Sequence, residues 1–138
     1  MKVLLDTNVI LDVLLRRENF YGDSVGVVRL CATDIEGIFT VNQTTDIFYI
    51  LKRSGASNED AKQSIIRLLK HIGLVDSKKT DVNHALKSKM YDFEDGIIDS
   101  VAVREKTSYI ITRNTTDFKN SMVPAIHPRD FLKLMNSR

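Results

Sequence analysis

The chain has 138 residues, 43% of them hydrophobic, and a formal net charge of +2 at pH 7. This length predicts a single domain, residues 1–138, that buries one sizeable core. The small net charge is compatible with a polyanionic partner but does not by itself indicate one. No stretch approaches the roughly 18 apolar residues of a membrane span, so no membrane is expected among the partners.

Cysteine usage indicates a reducing compartment. Cys31 is the only cysteine and cannot form an internal disulfide. It lies in an apolar run, residues 27–32, where a buried side chain is expected rather than a nucleophile. Because the first residues also lack a signal-peptide pattern, the expected location is cytoplasmic.

Short apolar runs alternate with helical patterns along the chain. The strand-like runs are residues 2–5, 38–41, 73–76, 109–112 and, more weakly, 124–127. Helical patterns are predicted over residues 9–15, 23–36, 43–53, 58–71, 81–90, 93–106 and 128–134. This alternation predicts an α/β fold of three layers, with a central, mostly parallel sheet of about five strands and helices on both faces.

The first strand is followed at once by the polar triplet Asp6, Thr7 and Asn8. In open α/β sheets, ligand sites form at the carboxyl ends of the strands, which is where this triplet is expected. A carboxylate beside hydroxyl and amide groups, with no glycine nearby, suits a hard cation better than a nucleotide phosphate.

Three more aspartates follow predicted strands or begin the next helix: Asp46, Asp95 and Asp117. Helix capping explains any one of them alone. Four carboxylates at one sheet edge, however, would repel one another strongly unless a divalent cation neutralised them. Asp99, four residues after Asp95, fits either a solvated helix face or a supporting place in the same site.

Two groups of motifs resemble the PIN-domain ribonucleases, and most closely their VapC-like toxin branch. The first is the segment from Leu4 to Asp12, Leu-Leu-Asp-Thr-Asn-Val-Ile-Leu-Asp. The second comprises Asp92-Phe93-Glu94-Asp95, the run Ile110-Ile111-Thr112-Arg113-Asn114, and Asp117-Phe118. The resemblance covers essentially the whole chain and implies a PIN-like fold.

The resemblance also implies roles for individual residues. Asp6, Asp95 and Asp117 match the metal-binding acids of the family, and the polar residues that match its supporting positions are Thr7, Asn8, Thr112 and Asn114. Asp46 stands where most of the family carries Glu. Because aspartate is one methylene shorter, Asp46 is expected to act catalytically either directly or through a water molecule.

The function implied is that of a Mg²⁺- or Mn²⁺-dependent endoribonuclease, the toxin of a toxin–antitoxin pair. It would cleave RNA phosphodiester bonds with a metal-activated water. Arg113 and Lys119, which flank Asp117, are the candidates for binding the RNA phosphates. The resemblance further implies a homodimer and a small protein antitoxin that covers the acidic edge.

Two alternatives remain open from the residues. One is an acid-cluster phosphohydrolase of the haloacid-dehalogenase type, although that chemistry favours a second Asp at position 8, where this chain has Asn. The other is a PIN-like RNA-binding or regulatory module with little or no turnover. The aromatic residues Tyr49, Phe93 and Phe118 lie in apolar patterns and are expected in the core rather than against RNA bases.

Overall fold

The computed structural model describes residues 1–138 as an α/β fold in which the predicted strands and helices are all present. The strands are β1 (Lys2–Leu5), β2 (Glu36–Thr40), β3 (Gly73–Val75), β4 (Tyr109–Ile111) and β5 (Ala125–Ile126). The helices are α1 (Thr7–Leu14), α2 (Tyr21–Thr33), α3 (Val41–Arg53), α4 (Asn58–Leu68), α5 (Lys79–Lys87), α6 (Phe93–Arg104) and α7 (Pro128–Asn136). A short 3₁₀ helix, Thr115–Phe118, lies between β4 and β5.

The five strands form one parallel sheet in the order β3-β2-β1-β4-β5. The central strand β1 pairs with β2 on one side and β4 on the other, with Leu4 opposite both Ile38 and Ile110. The chain order therefore reverses at β1, and the loops after β1 and β4 diverge from a crevice at the carboxyl edge. Such a switch point is where ligands bind in open α/β sheets.

Alternation along the strands divides the interior into two cores. Val3, Leu5 and Ile111 face a larger core formed with α1, α2, α3, α4 and α7. Leu4 and Ile110 face the opposite core, which α5 and α6 complete. This three-layer arrangement confirms the predicted fold class, and the sheet is entirely rather than mostly parallel.

Local capping fixes the start of α3, two residues before the predicted one, and the start of α6, which is as predicted. Strand β2 ends at Thr40, whose extended backbone and hydroxyl form a capping box with Gln43, so that α3 begins at Val41. Helix α6 begins after Asp92, whose carboxylate accepts the backbone N–H of Asp95 at 2.9 Å. No helix of the chain combines the length and the apolar character needed to cross a membrane.

The prediction for the aromatic residues is correct for one of the three. Phe118 is 2% exposed and belongs to the smaller core. Tyr49 and Phe93, however, are 62% and 48% exposed. Tyr49 extends from the outward side of α3. Phe93 is the first residue of α6, and the buried part of that helix begins only at Gly96.

Helix α2 packs closely against β2 through Cys31 and Gly37. Cys31 is 9% exposed, as expected, and burial raises the pKa of its thiol to about 12. A Cβ atom on Gly37 would overlap the Cys31 Sγ and lie 3.3 Å from a methyl carbon of Leu5. Glycine is thus required here by close packing between helix and strand.

We expect Gly37→Ala to lower the free energy of unfolding by about 1–3 kcal/mol through overpacking. Urea unfolding would measure the loss. Gly22→Ala is the matched control, because nothing lies within 4 Å of the added Cβ on α2. If the cause is contact with sulfur, Gly37→Ala should cost less in a Cys31→Ala background than alone. Equal costs in the two backgrounds would contradict this explanation.

Candidate active site

Asp6 lies at the junction of β1 and α1, in the crevice between β1 and β4. Its backbone N–H donates to the carbonyl of Ile111 at 2.9 Å, which extends the pairing of the two strands by one residue. Its side chain caps α1 by accepting the backbone N–H of Thr7 at 2.8 Å. Only 8% of Asp6 is exposed, so the strand pairing and the helix start together fix a nearly buried carboxylate.

Two side chains orient the second carboxylate oxygen of Asp6. The Thr112 hydroxyl donates to Oδ2 at 2.8 Å, and the Asn8 side-chain amide donates to the same oxygen at 3.2 Å. Thr112 is fully buried directly after β4. Burial raises the pKa of Asp6, as does the charge of Asp117 to a smaller degree, while the hydrogen bonds from Thr112, Thr7 and Asn8 oppose that rise.

A buried amide joins the start of α3 to this junction. Gln43 is fully buried, and its Nε2 donates to the Leu5 carbonyl at 2.9 Å and to the Thr7 hydroxyl at 3.2 Å. Its Oε1 accepts the backbone N–H of Thr40 at 2.8 Å. Gln43 therefore fixes the first turn of α3 relative to β1 and α1, and Asp46 lies in the next turn of that helix.

Asp95 and Glu94 bring two more carboxyl groups to the same edge from the first turn of α6. Burial raises the pKa of Asp95 to about 7, aided by the charges of Asp6, Asp92 and Asp117. Burial raises the pKa of Glu94 to about 8, aided by a hydrogen bond and charge repulsion with Asp46. The charges of Asp6 and Asp117 act on Asp95, and that of Asp46 acts on Glu94, so acids from the β1–α1 junction, α3, α6 and the 3₁₀ helix lie within electrostatic range of one another.

Asp117 is the exposed member of this acidic group. It lies in the 3₁₀ helix, where its backbone N–H donates to the Asn114 carbonyl at 3.0 Å. The backbone N–H of Asn114 in turn donates to the Thr112 hydroxyl at 3.0 Å. The turn that carries Asp117 is thus tied to the same threonine that orients Asp6.

The donor set of this edge fits a hard divalent cation. Its potential ligands are all oxygen atoms of carboxylates, which is the chemistry that Mg²⁺ and Mn²⁺ prefer. No three His, Cys, Asp or Glu side chains converge closely enough to enclose a metal ion unaided. Mg²⁺ usually uses one or two carboxylates and keeps several waters, so a set of separated acids suits it.

A family model described as the PIN domain matches residues 2–116. The chain belongs to the PIN-domain family. A search of curated proteins found no match. Several solved structures share the fold of this PIN domain at low sequence identity.

The VapBC2 complex of Rickettsia felis, bound to a promoter DNA fragment, is similar with a TM-score of 0.72 and 15% identity, covering 92% of this chain and 98% of the other. A toxin–antitoxin complex of Klebsiella pneumoniae is similar with a TM-score of 0.70 and 16% identity, and the match covers 91% of this chain and 97% of the other. VapC20 of Mycobacterium tuberculosis is a toxin that cleaves the sarcin–ricin loop. It is similar with a TM-score of 0.63 and 15% identity, and the match covers 78% of this chain and 86% of the other.

Glu94 is the acid of this PIN domain that sequence analysis did not select. It immediately precedes Asp95, and adjacent residues in an established helix point in different directions. In the first turn of α6, however, both carboxyl groups lie at the acidic edge. The detectable signal was the pair of adjacent acids, Glu94 and Asp95, two and three residues after the capping residue Asp92.

Asp99 does not have the solvated position considered for it, because only 5% of it is exposed. Its two carboxylate oxygens accept the backbone N–H groups of Met122 and Val123 at 2.9–3.2 Å. Asp99 therefore holds the segment before β5 against α6. Asp99 lies one turn after Asp95 on α6, but its carboxylate accepts hydrogen bonds from this segment rather than joining the acidic group.

The two basic candidates have different surroundings. Lys119 is exposed at the end of the 3₁₀ helix, beside Asp117. The guanidinium of Arg113 instead forms two hydrogen bonds, of 2.7 and 3.1 Å, with the buried carboxylate of Asp12. Arg113 is thus already engaged within the PIN domain.

A serine and a histidine also meet, on the side of α6 that faces α5. Ser100 Oγ lies 3.2 Å from His84 Nδ1 and donates to Asp81 Oδ1 at 2.9 Å. Burial opposes ionisation of Asp81, but hydrogen bonds from Arg104, the Lys78 backbone and Ser100 outweigh it and lower the pKa. Because Ser100 gives its proton to a carboxylate, this contact does not activate a nucleophile.

Proposed function

We propose that this PIN domain is a divalent-metal-dependent endoribonuclease that acts as the toxin of a toxin–antitoxin pair. The observation that carries the proposal is the group of acids at the β1/β4 crevice, where burial, with a smaller contribution from neighbouring carboxylates, raises the pKa values of Asp6, Glu94 and Asp95. A concentrated negative charge in a cleft suits a cation far better than a bare phosphate backbone.

In this proposal Asp6, Asp95 and Asp117 would hold Mg²⁺ or Mn²⁺ partly through bound waters, because no three acids lie close enough to hold the ion by themselves. When bound, the ion supplies Lewis-acid chemistry for hydrolysis of a phosphodiester. Asp46 and Glu94 add carboxyl groups on the α3 and α6 side of the crevice. Glu94, one methylene longer than aspartate, provides the reach that Asp46 lacks where the family usually carries Glu.

The remaining proposed residues support or extend this group. Thr7, Asn8, Thr112 and Asn114 hold the acid-bearing turns through the hydrogen bonds described above. Lys119, exposed beside Asp117, is the proposed contact for an RNA phosphate. Family membership supports nuclease chemistry, and the likeness to VapC20, a toxin that cleaves the sarcin–ricin loop, supports RNA as the proposed substrate.

Two partners belong to the proposal: a second copy of the chain and a small protein antitoxin. The support for the antitoxin is that similar folds occur in toxin–antitoxin complexes from Rickettsia felis and Klebsiella pneumoniae. Reading frames that flank the gene would be expressed together with it and tested for co-purification. Analytical ultracentrifugation of the purified protein would test for the homodimer.

The enzymatic proposal is tested by incubating the protein with a panel of structured RNAs in Mg²⁺, Mn²⁺ or EDTA. We expect cleavage at discrete positions in either metal and none in EDTA. RNA binding without cleavage would instead support the regulatory-module alternative. Release of phosphate from small phosphomonoesters, with RNA left intact, would favour the phosphohydrolase alternative.

A further inference from the structure

A buried ion-pair network lies directly behind the acidic edge. Asp12, on α1, is fully buried, and its carboxylate accepts hydrogen bonds from Arg113 at 2.7 and 3.1 Å, from Ser24 at 3.1 Å and from Arg17 at 3.4 Å. The Arg113 guanidinium also stacks on Phe20, 3.8 Å from the ring centroid. Bidentate pairing and aromatic stacking together fix a guanidinium far more rigidly than either does alone.

The backbone of Arg113 belongs to the turn that builds the active site. Its N–H donates to the Asn8 side-chain oxygen at 3.2 Å, while the Asn8 amide donates to Asp6 and lies 3.3 Å from the Thr112 hydroxyl. The next residue, Asn114, contacts Thr112 through its N–H and accepts the N–H of Asp117. Arg113 thus lies between the two halves of the acidic site.

We propose that the Asp12–Arg113 ion pair positions this site, and that Arg113 acts on the metal-binding acids rather than on RNA. The inference rests on the proposed function for its activity readout. A buried ion pair is by itself weak evidence for stability, because desolvation offsets much of the attraction. The position of the ion pair in the fold explains its presence better. The pair anchors the turn that carries Asp117 to α1, the helix that Asp6 begins.

Exposure separates this role from substrate binding. The Arg113 side chain is 19% exposed and its carboxylate partner is fully buried. Binding a phosphate would require Arg113 to leave Asp12 with only Arg17 and Ser24. Asp12 would then lose its shortest, two-donor partner while its carboxylate stayed buried, which strongly disfavours such a move.

The test compares Arg113→Ala with Arg17→Ala, two changes that each remove an arginine from the same carboxylate. Arg17 lies in the α1–α2 turn and makes no hydrogen bond to the 112–117 turn, so it is the matched control. The measurements are kcat and KM for RNA cleavage, the salt dependence of RNA binding, and Mn²⁺ affinity by isothermal titration calorimetry.

For Arg113→Ala we expect kcat and Mn²⁺ affinity to fall by about 10- to 100-fold, the range typical of residues that support metal ligands. The KM for RNA should stay within about twofold, as for loss of an interaction that does not bind the ground state. Arg17→Ala should leave all values within about twofold of wild type.

Three results would overturn the proposal. The first is a raised KM with unchanged kcat and a salt slope smaller by about 0.7, the mark of a lost phosphate contact. The second is an Arg113→Ala protein with wild-type kcat and Mn²⁺ affinity. The third is a wild-type protein that binds no Mn²⁺.

Two provisions keep the test decisive. If Arg113→Ala does not fold, Arg113→Lys replaces it: it keeps the charge but loses the two-donor geometry, and we expect it to fold with weakened Mn²⁺ binding. If the wild type binds Mn²⁺ but cleaves no RNA, the proposed function fails. The Mn²⁺ affinities of the Arg113 and Arg17 variants still decide the positioning role.

Discussion

Replacing Asp95 with Asn is expected to reduce metal-dependent RNA cleavage by at least about 100-fold, beyond the 10- to 100-fold typical of residues that only support a metal ligand. Asn preserves the volume and leaves the helix cap intact, because Asp92 bonds the backbone rather than the side chain of residue 95. Initial cleavage rates in saturating Mn²⁺ would measure the loss.

Asp34→Asn is the matched control, since Asp34 is an exposed aspartate after α2, at the opposite edge of the sheet. Asp6→Asn should be equally inactive, but it also alters the hydrogen bonds with Asn8 and Thr112. Asp95 therefore gives the clearer answer. Cleavage by Asp95→Asn at the wild-type rate would contradict the proposed metal site.

The metal-free protein is expected to lose stability as the pH rises from about 5 to 8. In the folded state the pKa of Glu94 is about 8 and that of Asp95 about 7, against ordinary values of 4.5 and 3.8. The folded protein therefore binds more protons than the unfolded chain over this window, and the free energy of unfolding falls with rising pH. Below the ordinary pKa values both groups are protonated in the folded and the unfolded states, so they no longer make the free energy of unfolding depend on pH.

Glu94→Gln isolates this effect. At pH 8 in EDTA it should be more stable than wild type by about 1–2 kcal/mol, allowing for solvent screening of a half-buried group. That difference corresponds to a melting temperature about 5 °C higher, and it should vanish near pH 4. Calorimetric scans at both pH values would measure it, with Glu18→Gln, in an exposed turn, as the control.

Adding Mn²⁺ should reduce the difference in stability between Glu94→Gln and wild type at pH 8. The reason is that the bound cation, rather than protons, then neutralises the carboxylates of the wild-type protein. Wild type should therefore gain more stability from Mn²⁺ at pH 8 than at pH 5. A wild-type melting temperature that is independent of pH and of Mn²⁺ would show that these acids do not repel one another as described.

Alternation of short apolar runs and helical patterns was sufficient to predict the fold, because each run in a parallel sheet is buried and each helix needs one apolar face. Asp6 could be found in the same way, since a polar residue directly after a buried strand lies at the sheet edge. Capping by Thr40 placed the start of α3 two residues earlier than predicted, whereas α6 begins at the predicted residue, after Asp92.

The surroundings of single side chains could not be predicted from spacing. Asp99 shares a helix face with Asp95, but the loop before β5 supplies three N–H contacts that use its carboxylate. Arg113 reads as a free basic residue beside an acid, whereas its partner Asp12 is 101 positions away in sequence. Sequence spacing predicts contacts between residues that are close in the chain, and it cannot predict pairs as distant in sequence as this one.

The central place of β1 has a consequence for when the acidic site is completed during synthesis. Its partner strands are β2, which follows within about 35 residues, and β4, which begins at Tyr109. Until the ribosome has released Thr112 and Asp117, one side of β1 lacks its hydrogen-bonding partner and Asp6 lacks its orienting hydroxyl. Because contacts distant in sequence form late, a nascent chain carries an incomplete acidic site until Asp117 has emerged.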